Sequence, residues 1–394
     1  MKRGVRCFSI APQTGSKLKF RTPKLKNTNG VRPQTILIIR LSSIGDILLA
    51  TPLLRALREK FPEARLDFVV KSDFAEVLRY HPAINQLYEL NAKTGWPELK
   101  ALGRRLREMR YDAIFDIHKN FRSSYLAAAA KPQRIFRHRK HVFRRWLLVN
   151  TKINLMQNVP PIYQRYLDAA APLDIAVQPL DDGRWLELFW SERDEQAAGQ
   201  ELHERDWQPH LPLIGIAPGA GYFTKRWPAE YFGELAVSLL RQGNQVVILG
   251  GTQDSDFAKK IGQIVEAALP RERRELPLID LTGKLSLLSS AAVIKRCQLF
   301  VANDSGLMHI AEAAGTPLVA IFGSTTRELG FFPQLQTSHV HENLALSCRP
   351  CSHLGHHQCP LGHFRCMKEI KPNEVLAIVQ KLLLEVYGKI QLAK

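Results

Sequence analysis

The sequence predicts an α/β fold made of two doubly wound parallel sheets that face each other across a cleft. Three observations carry this expectation. Short apolar runs alternate with amphipathic stretches along most of the chain, the pattern of parallel strands joined by helical crossovers. The alternation lapses between about residues 150 and 210, where Pro160-Pro161, Pro172, Pro179 and Asp181-Asp182-Gly183 gather, and then restarts. Several strands run into small polar turns that open helices, the place where open α/β sheets bind ligands. At 394 residues the chain is long for one such domain and comfortable for two.

Taken in order, residues 1–34 hold nine Lys/Arg and no acid, with no apolar periodicity, and read as a disordered basic extension. Residues 36–40 are the first strand. A helix over 46–61 follows, with apolar positions at 47, 50, 54, 57 and 61 and a bend expected at Pro52. Strands at 65–70, 85–90 and 112–117 continue the first sheet, with a helix over 97–110. After the boundary, strands at 213–217, 245–249, 278–281, 299–302 and 318–322 alternate with helices near 228–242, 254–268, 286–296 and 306–314. An amphipathic helix over 374–387 ends the chain. The expected division is an N-terminal domain over 35–185, a C-terminal domain over 186–370 and a terminal helix and tail over 371–394.

Composition is that of a globular protein, 45% hydrophobic and 23% charged. No apolar run approaches the roughly 18 residues of a membrane span, and no secretory signal is visible, so a cytosolic protein is expected. The formal net charge is +18, of which the extension supplies half. A second acid-free basic stretch over 131–152 carries Arg134, Arg137, Arg139, Lys140, Arg144 and Arg145. Such a patch suits nucleic acid, an anionic membrane surface or a phosphorylated substrate, and a merely solvated surface fits as well.

Five places could carry chemistry. The turn Leu41-Ser42-Ser43-Ile44-Gly45-Asp46 sets one carboxylate where a helix begins. Asp46 is there either an N-cap or a general base kept ionised by the helix N-terminus. The loop from Ala217 to Pro228 presents Gly219, Gly221, Lys225 and Arg226, a candidate diphosphate site. It has neither the Walker nor the dinucleotide spacing, and the lack of GxGxxG argues against a nicotinamide oxidoreductase. Asn303-Asp304-Ser305-Gly306-Leu307-Met308-His309 offers a second anion cradle. The plainer alternative has Asp304 capping the helix and His309 packing on it. Gly323-Ser-Thr-Thr326 ends the next strand beside it. Asp254, after Gly250-Gly251, could hold ribose hydroxyls or cap its helix. Finally, Cys348, Cys351, Cys359 and Cys366 could hold a structural zinc or stand as reduced thiols.

Together and in order, Leu41-Ser-Ser-Ile-Gly-Asp46 with Thr51-Pro52, Lys225-Arg-Trp-Pro228 and Asn303-Asp-Ser-Gly-Leu-Met-His309 resemble the heptosyltransferases of lipopolysaccharide core synthesis over about residues 35–385. The segment Cys348-Arg-Pro-Cys351 through Cys366-Met resembles the branch that adds the second heptose. The resemblance implies a GT-B fold and inverting transfer of heptose from ADP-L-glycero-D-manno-heptose to the inner core on lipid A. It implies Asp46 as the base and Lys225 against the leaving diphosphate. Asp304, Ser305, Gly306 and His309 would lie at the sugar and phosphates, and Asp254 at the ribose. Ser42, Ser43 and Arg122 are the acceptor-side candidates. No divalent cation is expected, since Lys225 and helix N-termini can stabilise the leaving charge. The expected partners are the ADP-heptose donor, a Kdo-lipid A or heptosylated acceptor and the cytoplasmic face of the inner membrane, with no nucleic acid. A transferase using another sugar or acceptor, and a non-catalytic RNA- or membrane-binding protein, are the competing readings.

Overall fold

The computed structural model describes residues 32–270 and 276–392, so nearly all of the basic extension lies outside the described residues. The first sheet contains β1 (Thr35–Ile39), β2 (Arg65–Lys71), β3 (Gln86–Leu90), β4 (Ala113–Asp116) and β5 (Arg134–Phe136), in the order β3-β2-β1-β4-β5. The second contains β6 (Leu213–Ala217), β7 (Gln245–Ile248), β8 (Leu278–Asp280), β9 (Leu299–Asn303), β10 (Leu318–Phe322) and β11 (Ser338–Glu342), ordered β11-β10-β9-β6-β7-β8. Every pairing is parallel. Helices cover both faces, so the central strands are buried on both sides and read as unbroken apolar runs; Ile36, Leu37, Ile38 and Ile39 are all solvent-free.

Strand order reverses direction between β1 and β4 in one sheet and between β6 and β9 in the other. A crevice opens at such a switch point because the crossovers on its two sides leave for opposite faces. The turns after β1, β4, β6 and β9 therefore frame the two crevices. They carry Asp46, Arg122, Lys225 and Asp304.

Three expectations are corrected. The helix over 46–61 is two helices, Ile44–Leu48 and Thr51–Lys60, because the Pro52 ring would clash with the carbonyl of residue 48 in a continuous helix. The proline instead sits in the first turn of the second helix, where no N–H is required. The N-cap is Ser43, so Asp46 is the third helical residue and not the cap. Two edge strands, β5 and β11, had not been expected. β5 has three residues with Arg134 and Ile135 exposed, and β11 reads Ser-His-Val-His-Glu. Short polar edges lack the apolar run that marks an inner strand.

The irregular middle holds the helices Ile162–Ala169 and Glu192–His203, and it ties the halves together. Arg55 pairs with Glu187 at 2.8 Å, and the Glu187 N–H donates to Thr51 Oγ1 at 2.9 Å. The Leu288 N–H donates to Glu76 Oε1 at 3.0 Å, and the Ile162 N–H to the Gly330 carbonyl at 3.0 Å. One apolar core runs from Ile36 in β1 to Phe322 in β10.

At the second switch point, fully buried Asn303 ends β9 and bonds the loop after β6: its Oδ1 accepts from the Trp227 N–H at 3.0 Å and its Nδ2 donates to the Pro218 carbonyl at 2.8 Å. Asn303→Ala leaves both backbone groups buried and unpaired, at about 1–3 kcal/mol each. Urea denaturation should show a loss of about 2–6 kcal/mol at unchanged m. A loss below about 0.5 kcal/mol would show that this bond pair does not hold the loop.

Candidate functional site

From β1 the chain passes Arg40 to Ser43 and opens the helix Ile44–Leu48. The Ser43 N–H and Oγ–H both donate to Asp46 Oδ2, at 3.3 and 2.9 Å. Arg40 Nη2 lies 2.6 Å from Asp46 Oδ1, and the Tyr166 hydroxyl lies 3.5 Å from the same oxygen. The Asp46 side chain keeps 16% of its surface exposed. Burial pushes its pKa up, but the Arg40 charge and the Ser43 donors outweigh burial, and the net shift is downward. Asp46 is therefore an anion across the neutral range. Arg40 is itself fixed by donation to the Ile117 carbonyl at 2.9 Å and by lying over the Tyr166 ring.

Around this carboxylate the N-terminal half is cationic. His118, after β4, has a pKa lowered to about 4, and buried His138 to about 3. Burial is the main cause, followed by the charges of Arg40 and Lys140. Both rings are neutral at pH 7 because burial disfavours the charged form and the neighbouring positive charges add to that.

Across the cleft, Lys225 Nζ sits 2.8 Å from Asp304 Oδ2, which also accepts from Thr325 Oγ1 at 2.7 Å. Asp304 does not hold the N-cap position of the helix Gly306–Ala314; Ser305 does, but its buried Oγ makes no cap bond and has no hydrogen-bond partner. His309 Nδ1 faces Glu312 Oε2 at 3.3 Å, and Glu312 Oε1 accepts from the Gln334 N–H at 2.7 Å.

The two halves meet where glycine leaves space. A Cβ at Gly45 would lie 2.5 Å from His309 Cδ2, and one at Gly306 would lie 3.1 Å from Ile44 Cβ. Two cavities adjoin at this contact and share Ile44, Gly221, Ser305 and Gly306. One, of about 280 Å³, is lined by Asp46, Lys225, Asp304 and His309 together with Tyr222 and His353. The other, of about 440 Å³, is lined by Asp254, Arg226, Gly250, Gly251, Leu285 and Leu287. Its buried Asp254 accepts from the Gly251 N–H at 3.0 Å, and a Cβ at Gly219 would lie 2.3 Å from Asp254 Oδ2. Burial raises the Asp254 pKa, with the Gly251 donor and the Arg226 charge opposing.

The structure thus gathers Ser43, Asp46, Lys225, Asp254, Asp304, Ser305, Gly306 and His309 around one continuous cleft. Ser42 and Arg122 do not line it; Arg122 is exposed in the first turn of the helix Phe121–Ala129. Sequence reasoning missed Arg40, Tyr166 and His353. Arg40 could have been found from its place at the carboxyl end of the first strand.

His353 reaches the cleft because the cysteine-rich segment folds back over the Lys225 turn. The His356 N–H donates to Thr224 Oγ1 at 2.8 Å, and Arg349 donates to the Phe322, Gly323 and Thr325 carbonyls at the end of β10. Cys348, Cys351, Cys359 and Cys366 are free thiols. Among the described residues, no group of three or more His, Cys, Asp or Glu is arranged to hold a metal ion, so the zinc reading gains no support.

The family model described as glycosyltransferase family 9 (heptosyltransferase) matches residues 99–363. The chain belongs to this family. It is 31% identical over 299 residues to lipooligosaccharide heptosyltransferase 2 of Haemophilus influenzae, covering 74% of this chain and 84% of that protein. The solved structure of ADP-heptose LPS heptosyltransferase II of Escherichia coli is 28% identical with a TM-score of 0.69, covering 90% of this chain and 99% of that one. A family 9 glycosyltransferase from Veillonella parvula, 24% identical, has a TM-score of 0.73 over 89% and 98% of the two chains and shares the fold. The expected GT-B architecture is therefore the observed one, and the protein is a glycosyltransferase of the lipopolysaccharide heptosyltransferase family.

The Gly45–His309 contact makes a stability prediction for this transferase. Gly45→Ala should cost about 1–3 kcal/mol by overpacking. In a His309→Ala background the ring is gone, and the same substitution should cost less than about 0.5 kcal/mol. Equal costs in the two backgrounds, read by chemical denaturation, would show that the clash is not the cause.

Proposed function

We propose that the protein transfers heptose from ADP-L-glycero-D-manno-heptose to the inner core of a lipid A-anchored acceptor, with inversion at the anomeric carbon. Residues 35–185 would bind the acceptor and residues 186–370 the donor, at the cytoplasmic face of the inner membrane. The observation that carries this reading is the shared cleft. An ionised carboxylate with one oxygen locked by Arg40 faces a lysine and a free helix N-terminus across about 280 Å³. The Haemophilus influenzae and Escherichia coli relatives, named as heptosyltransferases, support the choice of donor and acceptor.

In this reading the nucleoside occupies the Asp254 chamber, and its ribose hydroxyls donate to that carboxylate. The diphosphate crosses the shared rim at Ser305 and Gly306, where the first N–H groups of the helix Gly306–Ala314 and the unpartnered Ser305 hydroxyl can donate to it. Lys225 neutralises the charge that grows on the leaving phosphate. On the opposite side Asp46 takes the proton of the acceptor hydroxyl as its oxygen attacks the anomeric carbon. The attacking oxygen and the departing phosphate lie on opposite sides of that carbon, which yields inversion. His309 sits between the two ends and positions the sugar.

Incubation with ADP-heptose and Kdo2-lipid A, or its monoheptosylated form, should release ADP and raise the acceptor mass by one heptose. Asp46→Asn should lower kcat by about 10²–10⁴; near-normal turnover would remove the base assignment. The pH profile gives a second check. A base whose pKa is depressed loses activity only as pH falls through that low value, so the rate should stay level through the neutral range. Arg40→Gln removes the main depressing charge and leaves burial in force. Its acid limb should move up toward neutral pH. An unmoved limb would show that Arg40 does not set the state of Asp46.

A further inference from the structure

The acid-free region is longer than the sequence pattern of 131–152 alone suggests. From Ile117 to Leu167 there is no Asp or Glu, and eleven Lys or Arg. In its middle lies the helix Val142–Thr151, held to the protein by buried Leu148. At 100° per residue, the direction opposite Leu148 falls between Val142, Phe143 and Trp146. These three are 59%, 68% and 54% exposed. Ile153 and Leu155, just past the helix, are also exposed. Three large apolar side chains on one outward helix face, flanked by Arg139, Arg144 and Arg145, are not explained by the core or by the cleft.

We propose that this face docks the protein on an anionic lipid bilayer, with Phe143 and Trp146 inserted at the headgroup boundary and the surrounding arginines on lipid phosphates. Charge complementarity selects this occupant. A second copy of the chain would bring two acid-free cationic surfaces together. Single-stranded RNA would use aromatic platforms but leave Val142, Ile153 and Leu155 without a role. A short helix with an aromatic and aliphatic face between basic side chains lies in the interfacial plane of a bilayer.

The position relative to the cleft gives the contact a use. At the end of the helix, Lys152 Nζ donates to the Pro350 carbonyl at 2.7 Å, tying the helix to the cysteine-rich segment. Arg145 is close enough to His353 to lower its pKa, burial being the larger cause, and His353 lines the Asp46 cavity. The docked face thus borders the mouth at which an acceptor would enter. This use rests on the proposed transfer to a lipid-anchored acceptor; the docking itself does not.

Co-sedimentation of the full chain with phosphatidylcholine vesicles, with and without phosphatidylglycerol, tests it. Binding should require the anionic lipid and weaken at high salt. The double variant Phe143→Ser, Trp146→Ser should lower the partition coefficient about tenfold or more, and Arg139→Ser with Arg144→Ser should flatten the salt dependence. Both variants should turn over a delipidated acceptor at the wild-type rate, which shows that they fold, while losing about tenfold on vesicle-embedded acceptor. Unchanged vesicle binding by the Phe143/Trp146 variant would overturn the proposal. So would equal wild-type binding to neutral vesicles, a wild-type dimer in light scattering that this variant dissolves, or RNA binding that depends on the same two residues. Wild-type protein that binds vesicles but consumes no ADP-heptose would keep the docking and remove the transfer reading.

Discussion

The site depends on a steric constraint: two helix N-termini, one from each half, meet with no room for a side chain between them. Gly45 lies against His309, and Gly306 against Ile44. Each helix is launched from a central strand next to a switch point, β1 in one sheet and β9 in the other. The contact therefore fixes the two crevices relative to each other. It also divides the cleft into two chambers that share a rim, one holding the ion pairs and one holding Asp254. A side chain at 45 would collide with the His309 ring, and one at 306 would press on Ile44.

Electrostatics then sets what the chambers can hold. At 2.6 Å the Arg40–Asp46 attraction is on the order of 6 kcal/mol gross at an effective dielectric of about 20, while desolvating the two ions costs several kcal/mol each. The pair therefore adds little net stability. What it determines is direction and charge: Oδ1 is occupied by the guanidinium, and Oδ2 faces only the Ser43 donors, which an incoming hydroxyl could displace. Arg40 also adds, after burial, to the lowering of the His118 and His138 pKa values. One residue thus both fixes the direction of the carboxylate and holds it anionic.

Much of this was legible in the sequence because parallel sheets bury their inner strands on both faces. Runs such as Ile36 to Ile39 and Leu318 to Phe322 have no other plausible use, and the turns that follow them hold most of the candidate residues. What escaped notice follows from the same physics. β5 and β11 are edges, with no second face to bury. Arg40 looked like the tail of a strand, since its importance comes from Ile117 and Tyr166, which are distant in sequence. Asp46 looked like a cap because a local reading cannot tell the N-cap from the third helical position. His353 left no signal, because only the fold-back of the cysteine-rich segment, held by Arg349 and Thr224, brings it to the cleft. Arg122, an acceptor-side candidate, follows β4 at the switch point and is exposed in the first turn of its helix, outside the two chambers.

The Lys225–Asp304 pair adds a last constraint on the proposed reaction. Lys225 is already neutralised at 2.8 Å, so it can meet a leaving diphosphate only by sharing or exchanging its partner. Asp304 can tolerate the exchange, because the Thr325 hydroxyl stays on the same oxygen. The free lysine charge is thus withheld until an anion arrives to compete for it. An empty cleft holds two internally balanced ion pairs, one on each wall. The donor unbalances one wall through its phosphates and the acceptor hydroxyl unbalances the other through Ser43. On this reading the donor phosphates compete with Asp304 for Lys225 and the acceptor hydroxyl competes with Ser43 for Asp46, so each wall answers to a different substrate.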